Sequence, residues 1–224
     1  MNGSGLKLII TGVTGMVGEG VLHECLQDPQ VHSVLIINRR PSGIVHTKLK
    51  EIIHADFFDL RPVASQLAGY DACFFCLGVS SVGMKEPEYY RRTHTLTLHF
   101  AEVLAEQHPA MVFCYVSGKS TDSTEKGKQM WARVKGKTEN DLMNLPFKSV
   151  YLFRPGYLHP TPGLKNTNKY YRYISWLYLP VRAIFPQMAC SLKELGLAML
   201  VTAQKGYEKK IIEVTDIVAL ASQR

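Results

Sequence analysis

Seven short apolar, β-branched runs separated by longer stretches of helical period constrain this chain more than any other feature. They are Leu6 to Ile10, Ser33 to Ile37, Glu51 to Ala55, Ala72 to Leu77, Met111 to Val116, Ser149 to Phe153 and Lys210 to Val214. Continuous apolar runs of this kind read as strands covered on both faces, and helices between them make the strands parallel. The helical stretches are Val17 to Gln27, a short turn at Val63 to Leu67, Pro87 to Glu106, Met130 to Asn144 and Leu192 to Ala203. Pro87 suits a first helical turn, and Ser191 with Glu194 forms a capping-box pattern that starts the last long helix. The alternation implies an α/β protein: an open, doubly wound parallel sheet with right-handed crossovers. With 224 residues and no repeat or Pro/Gly-rich linker, the chain reads as a single domain, 1–224, with one sizeable core. The one irregular stretch is Gly156 to Cys190.

The junction of the first strand and first helix carries the sharpest motif, "LIITGVTGMVGEGVL", with Gly12, Gly15 and Gly18 at three-residue spacing. One glycine turns tightly, another lets backbone approach a pyrophosphate, and the third lets the helix pack on the strand. The helix N-terminus adds free N–H groups and a partial positive charge, which Thr14, Gly15, Met16 and Val17 would present to phosphates. Spaced glycines alone also make plain tight turns. The strand before and helix after favour a Rossmann-like dinucleotide site.

About twenty residues beyond such a turn, a fold that prefers NAD places an Asp or Glu on the ribose 2'-hydroxyl. This chain has Asn38, Arg39 and Arg40 there. A guanidinium binds a 2'-phosphate that a carboxylate would repel, so NADP(H) is expected in preference to NAD(H). A merely solvated basic turn is the competing reading.

With these motifs the sequence resembles the short-chain dehydrogenase/reductase superfamily, in its atypical branch related to the NAD-dependent epimerases/dehydratases and to the Tat-interactive oxidoreductase. Besides "TGVTGMVG", the resemblance rests on "NRR", "HADFFDL", "CLGVSS", "YVSGKS", "WARVKGKTE" and "RPGYL", in order, over nearly the whole chain. It implies that Asp56 and Phe57 border the adenine and that Leu77, Gly78 and Val79 run beside the cofactor ribose. It also implies that Pro155, Gly156 and Tyr157 pass near the nicotinamide. The family's reaction centre pairs a Ser with a Tyr and a Lys four residues after the Tyr. The Tyr moves the substrate proton, the Lys lowers its pKa and holds the ribose, and the Ser orients the substrate oxygen. The resemblance places these roles on Ser117, Trp131 and Lys135. Trp131 breaks the pattern, because an indole N–H donates a hydrogen bond but is no acid at neutral pH. Thr93 is a second departure, standing where relatives carry Asn in "Y-x-x-N" after Tyr90.

Three explanations are open. Another group, Tyr157, Tyr90 or an ordered water, protonates a hydride acceptor; or the chain binds NADP(H) without turnover, as a redox sensor; or Trp131 is a core residue. The resemblance implies further that the aromatic segment after "RPG", residues 156–190, closes as a lid over an apolar or planar small-molecule substrate. Homo-oligomers occur among relatives, though no interface can be read here.

Composition excludes other classes. The apolar run "YISWLYLPVRAIFPQMA" is broken by Pro180, Arg182 and Pro186 and falls short of a membrane span. The start lacks the pattern of a secretory signal, so a cytoplasmic setting is expected. A net charge of +7, with acidic residues interleaved, fits a field that attracts NADP(H) better than a nucleic-acid surface. The five cysteines lie mostly in apolar stretches and read as reduced, buried thiols. Cys73 and Cys76, three apart in a strand, point to opposite faces, and His94 and His99 are about 140° apart on a helix. Neither pair makes a metal site. "HEC" lacks a second histidine, leaving His23 a helix-surface residue.

Overall fold

A computed structural model describes residues 5–167 and 178–224. Its centre is a seven-stranded, all-parallel sheet in the order β3-β2-β1-β4-β5-β6-β9. The strands are β1 (Leu6–Thr11), β2 (Val31–Asn38), β3 (Leu49–Ile53), β4 (Ala72–Phe75), β5 (Val112–Val116), β6 (Ser149–Arg154) and β9 (Ile211–Glu213). The order reverses direction between β1 and β4. In an open α/β sheet such a reversal leaves a crevice outside the carboxyl ends of the strands, where ligands bind.

Alternate residues of the strands feed two cores. On one face Leu8, Ile10, Phe74, Cys114 and Phe153 pack with α1 (Met16–Gln27), α6 (Leu192–Lys205) and α7 (Val214–Ala221). On the other, Ile9, Leu35, Phe75, Phe113 and Leu152 pack with α3 (Leu96–Gln107) and a 3₁₀ turn at Arg61–Leu67. Helix α4 (Met130–Leu142) contributes Leu142 to this second core. Cys73 joins the second core and Cys76 packs on the first, the opposite orientation expected from their spacing. All five thiols are unpaired, and burial pushes Cys114 and Cys190 up to about 12. Among the described residues no group of His, Cys, Asp and Glu could hold a metal, and no helix is long and apolar enough to cross a membrane. His23 lies half-buried on α1, within hydrogen-bond reach of Gln27.

Several boundaries move. The third strand runs from Leu49, not Glu51, because its register with β2 starts at Val34 opposite Leu49 and ends at Asn38 opposite Ile53. It is an edge strand with Lys50, Glu51 and Ile53 exposed rather than a strand covered on both faces. The fourth strand ends at Phe75, leaving Cys76 and Leu77 to the loop. The expected helix from Pro87 begins as α2 (Glu86–Tyr90), passes through a π-helical turn at Arg91–Thr95 and continues as α3. The last strand stops at Glu213, whose carboxylate forms a capping box with Asp216 and starts α7 at Val214, a helix the strand reading hid. The stretch from Gly156 is not wholly irregular. It contains β7 (Tyr157–His159), paired in parallel with β8 (Ala189–Ser191), and the short helix α5 (Tyr178–Ile184). Residues 168–177 of the expected lid lie outside the described residues. The Ser191 cap is present: its hydroxyl accepts from Glu194 N–H at 3.1 Å and the Glu194 carboxylate accepts from Ser191 N–H at 2.7 Å.

Candidate functional site

The glycine turn is built as its spacing demands. Gly12 has φ +73°, and a Cβ there would stand 2.6 Å from the Cys76 carbonyl oxygen of the neighbouring loop. Its own carbonyl accepts from Gly15 N–H at 3.0 Å. A Cβ on Gly18 would collide with the Gly12 carbonyl and lie 2.8 Å from Val13 N, so only glycine lets α1 sit this close to β1. Gly15 caps α1 in extended conformation, and a Cβ there would meet only one atom within 4 Å. The three glycines thus divide the work: two close the turn against backbone, and the third leaves the helix end open. Met16 and Val17 begin that helix with their side chains half-buried on the first core.

Beside this turn lies a cleft of about 610 Å³ lined by Gly12, Thr14, Ile37, Asn38, Arg39, Arg40, Ala55, Phe57 and Leu77. No carboxylate lines it. Arg39 and Arg40 are exposed at the end of β2, Phe57 is buried, and Leu77 N–H donates to Thr11 Oγ1 at 3.3 Å. The basic turn is fastened by a residue the sequence reading did not single out. Glu51 of β3 accepts from Asn38 Nδ2 at 2.8 Å and from Ser42 N–H at 2.9 Å, bracketing Arg39 and Arg40 in the chain. Asp56 does not line the cleft; its Oδ1 accepts from Phe58 N–H at 2.8 Å in a local turn. Gly78 is exposed and Val79 half-buried in the loop after β4. These residues fit a dinucleotide: the glycine cradle suits a pyrophosphate and the open helix end its charge.

The second cluster sits at the carboxyl end of β5 and meets expectation less simply. Ser117 is buried; its hydroxyl donates to Glu139 Oε1 at 2.5 Å and lies 3.2 Å from the Phe153 carbonyl. In this arrangement the hydroxyl proton is directed to the buried Glu139 carboxylate. Glu139 is also bound by Arg154, through Nε at 3.0 Å and through Nη2. Arg154 Nη2 further donates to Ser123 Oγ at 2.5 Å, and Nη1 stands 3.7 Å from Glu213. Burial works against the Arg154 charge, but its bonds to Glu139 hold the guanidinium above its ordinary pKa. Lys135, one turn before Glu139 on α4, donates its ammonium to the Ser117 carbonyl. Burial pulls its pKa down from 10.5 to about 8, and the Glu139 charge opposes that fall. Trp131 lies half-buried one turn before Lys135 on the same helix.

The remaining candidates separate. Tyr90 stacks on His94 at 4.3 Å between ring centroids, and His94 is 2.7 Å from Asp141. Thr93 is buried in the π-helical turn, its carbonyl accepting from Thr97 Oγ1 at 2.5 Å. Pro155 is buried and its carbonyl accepts from Lys119 N–H at 2.8 Å. Gly156 is required by a close approach, since a Cβ would stand 2.9 Å from the Met188 carbonyl carbon. Tyr157 opens β7, its ring 6.2 Å from that of Tyr178, which in turn stacks on His159 at 4.2 Å.

Comparison with known proteins follows the same division. The chain aligns, at 27% identity over 156 residues, with protein fmp52, mitochondrial, of Emericella nidulans, covering 67% of this chain and 66% of that protein. It aligns at 27% over 154 residues with protein HTATIP2 of Rattus norvegicus, covering 68% of this chain and 62% of the relative. In both the aligned part is less than two thirds of the relative's length. Among solved structures it superposes on a UDP-N-acetylglucosamine 4-epimerase from Methanobrevibacter ruminantium with TM-score 0.68 at 16% identity, over 93% of this chain and 76% of the other. A short chain dehydrogenase family protein from Francisella tularensis gives TM-score 0.62 at 15% identity, over 91% and 93%. At these identities the structures speak for the fold alone. Residues 8–130, more than half of the chain and ending one residue before Trp131, match the NAD dependent epimerase/dehydratase family. With its glycine cradle and seven-stranded parallel sheet, the chain belongs to that family, in its atypical short-chain dehydrogenase/reductase branch.

Proposed function

We propose that the protein is an NADP(H)-dependent oxidoreductase acting on a carbonyl or an activated alkene of an apolar or planar small molecule. The observation that carries the reading is one cleft lined by both the glycine turn and Arg39 with Arg40, and by no carboxylate. When bound, the reduced cofactor supplies a hydride. The chain's own residues do the rest. Gly12, Thr14 and Gly15 receive the pyrophosphate, Arg39 and Arg40 the 2'-phosphate, Phe57 and Leu77 flank the adenosine, and Lys135 holds the ribose on the nicotinamide side. Pro155, Gly156 and Tyr157 enclose the reacting end. The lid begins at Gly156. Its residues Lys165 and Asn166 are tied to α1, where the Glu19 carboxylate accepts their backbone N–H groups at 2.8 and 2.7 Å. Aromatic rings at 157, 159 and 178 give that side an affinity for flat, apolar ligands.

Replacing Arg39 and Arg40 together by Ala tests the reading. Charge-assisted bonds to a phosphate contribute about 1.5–3 kcal/mol each when well formed, less at an exposed turn. NADPH affinity should therefore fall roughly 10- to 100-fold, with NADH affinity changed less than about threefold, by calorimetry. Wild type that binds both nucleotides equally well refutes the preference. A second reading, a silent NADP(H) sensor, is favoured by Trp131 in the place of the family's acid. It is separated from the first by whether wild type consumes NADPH with any carbonyl of a broad panel.

A further inference from the structure

We propose that Ser42 is a phosphorylation site whose phosphate displaces NADP(H) by occupying Arg39 and Arg40. The inference rests on the reading of those arginines as a 2'-phosphate grip and adds a means of switching the grip off.

The chain runs Arg39-Arg40-Pro41-Ser42, with two cations three and two positions ahead of a hydroxyl. Kinases that dock their substrate as an extended strand against acidic side chains select this pattern, because each guanidinium meets a carboxylate while the serine reaches the phosphoryl donor. The backbone suits such a groove. Residues 39–46 hold no helix or strand. Arg40 precedes a proline and is biased towards extended conformation, and Pro41 has its φ fixed. Arg39, Arg40, Pro41 and Gly43 are exposed, and Gly43, at φ +70°, turns the chain immediately after Ser42. Ser42 Oγ accepts from Ile44 N–H at 3.2 Å, and its own proton goes to none of the described residues. The other Arg-Arg pair of the chain, Arg91 with Arg92, lies in the π-helical turn, where helical backbone closes it to such a groove.

Once formed, the phosphate acts twice on the cofactor site. Ser42 does not line the cleft, but it stands two and three residues beyond Arg40 and Arg39, which do. A phosphoserine carries about −1.5 to −2 charges and three acceptor oxygens, the same group as a ribose 2'-phosphate. Tethered this close, it meets the guanidinium groups at an effective concentration on the order of millimolar and competes with free nucleotide for both. Its second effect is on the fastening of the turn. Glu51 accepts from Ser42 N–H at 2.9 Å and from Asn38 Nδ2 at 2.8 Å. A dianion on Ser42 repels that carboxylate and loosens the segment that carries the arginines. Both effects oppose NADP(H), and neither touches the glycine cradle, so NAD(H) binding is spared.

In the balanced step the Ser42 oxygen attacks the γ-phosphorus of a nucleoside triphosphate. The bond from that phosphorus to the β,γ-bridging oxygen breaks, the nucleoside diphosphate leaves, and the hydroxyl proton passes to a carboxylate base of the kinase.

Treating the purified protein with ATP and the catalytic subunit of cyclic-AMP-dependent protein kinase, a kinase of this class, should place a phosphate on Ser42, located by mass spectrometry. After removal of ATP, calorimetry should show NADPH affinity lower by about 10-fold or more than in the same preparation after phosphatase, with NADH affinity changed less than about threefold. Ser42→Ala put through the same treatment should bind NADPH as it did before it. No phosphate on Ser42 of the folded protein, or equal NADPH affinity before and after phosphatase, overturns this proposal and leaves the NADP(H) reading standing. Untreated protein that binds NADPH no tighter than NADH overturns that preference and this proposal together.

Discussion

Removing the charge of Glu139 should unfold this protein more readily than any change in its exposed ion pairs. The Glu139 side chain is 1% exposed and that of Arg154 10%. Its two oxygens take Ser117 Oγ at 2.5 Å, Arg154 Nε at 3.0 and 3.2 Å, and Arg154 Nη2. In Glu139→Gln one oxygen remains as acceptor and the volume is kept, but the guanidinium loses its buried partner. Its next carboxylate is Glu213, 3.7 Å away and 42% exposed, where water weakens the attraction. Breaking a buried pair from one side costs about 3–5 kcal/mol, and the retained acceptor puts Gln at the lower end, about 3 kcal/mol. For a domain of this size each kcal/mol moves Tm by about 2–4 °C, so a drop of roughly 6–12 °C is expected in thermal unfolding, with a matching fall in the urea midpoint. The double variant Glu139→Met with Arg154→Met removes both charges and should recover much of the loss, because no charge is then left alone in the interior. A loss below about 1 kcal/mol in Glu139→Gln, or a double variant no better than the sum of its singles, refutes the claim that this is a coupled buried pair.

Gly18→Ala should cost about 1–3 kcal/mol and weaken NADPH binding together, because the atoms in the way are backbone of Gly12 and Val13 and α1 must back away from the turn to admit a methyl group. Urea unfolding and calorimetry read the two effects, and an unchanged affinity in a stable variant would separate the turn from the cofactor. Lys135→Met should stabilise the protein at pH 7. The folded pKa of about 8 lies below the ordinary 10.5, so between these values the unfolded chain binds more protons and wild-type stability rises with pH. The variant's advantage, up to about 3 kcal/mol at neutral pH, should therefore shrink as pH climbs from 8 towards 10.5, and a flat difference across that window would exclude the burial penalty.

The half of the site that was legible in the sequence is the half fixed by backbone sterics within a few residues. Gly18 is required by contacts with Gly12 and Val13 inside one strand-turn-helix unit, while Gly12 owes its place to a positive φ and Gly15 leaves the helix end open, so their spacing carries their roles. Arg39 and Arg40 follow at a distance that the βαβ unit sets. The reaction half depends on meetings across the fold. Ser117 and Glu139 are 22 residues apart, and Glu139 and Arg154 15. No local rule announces that the serine's hydroxyl turns inward. A signal for Glu139 was present nonetheless: Trp131, Lys135 and Glu139 recur every four residues and so share a face of α4. The π-helical turn at Arg91–Thr95 and the parallel pairing of Tyr157–His159 with Ala189–Ser191 leave no such trace. One adds a residue to a helix whose apolar pattern looks continuous, and the other joins segments 32 positions apart, as Tyr157 opposite Ala189. Likewise Lys210 to Val214 reads as one apolar strand until the Glu213 and Asp216 carboxylates divide it.

Lys135 and Trp131 bear on the choice between an enzyme and a silent sensor. Gripping a ribose needs only a cation, and a lysine near its ordinary pKa, or an arginine, would do that at no cost to stability. Here the ammonium is closed in until its pKa falls to about 8, against a carboxylate one turn away that pulls the other way. A lysine lowered by burial, with a carboxylate only partly offsetting it, is a candidate functional group for either reading. Trp131→Tyr separates the readings: turnover that appears only in the variant decides for the silent sensor, and NADPH consumption already present in wild type decides for the enzyme.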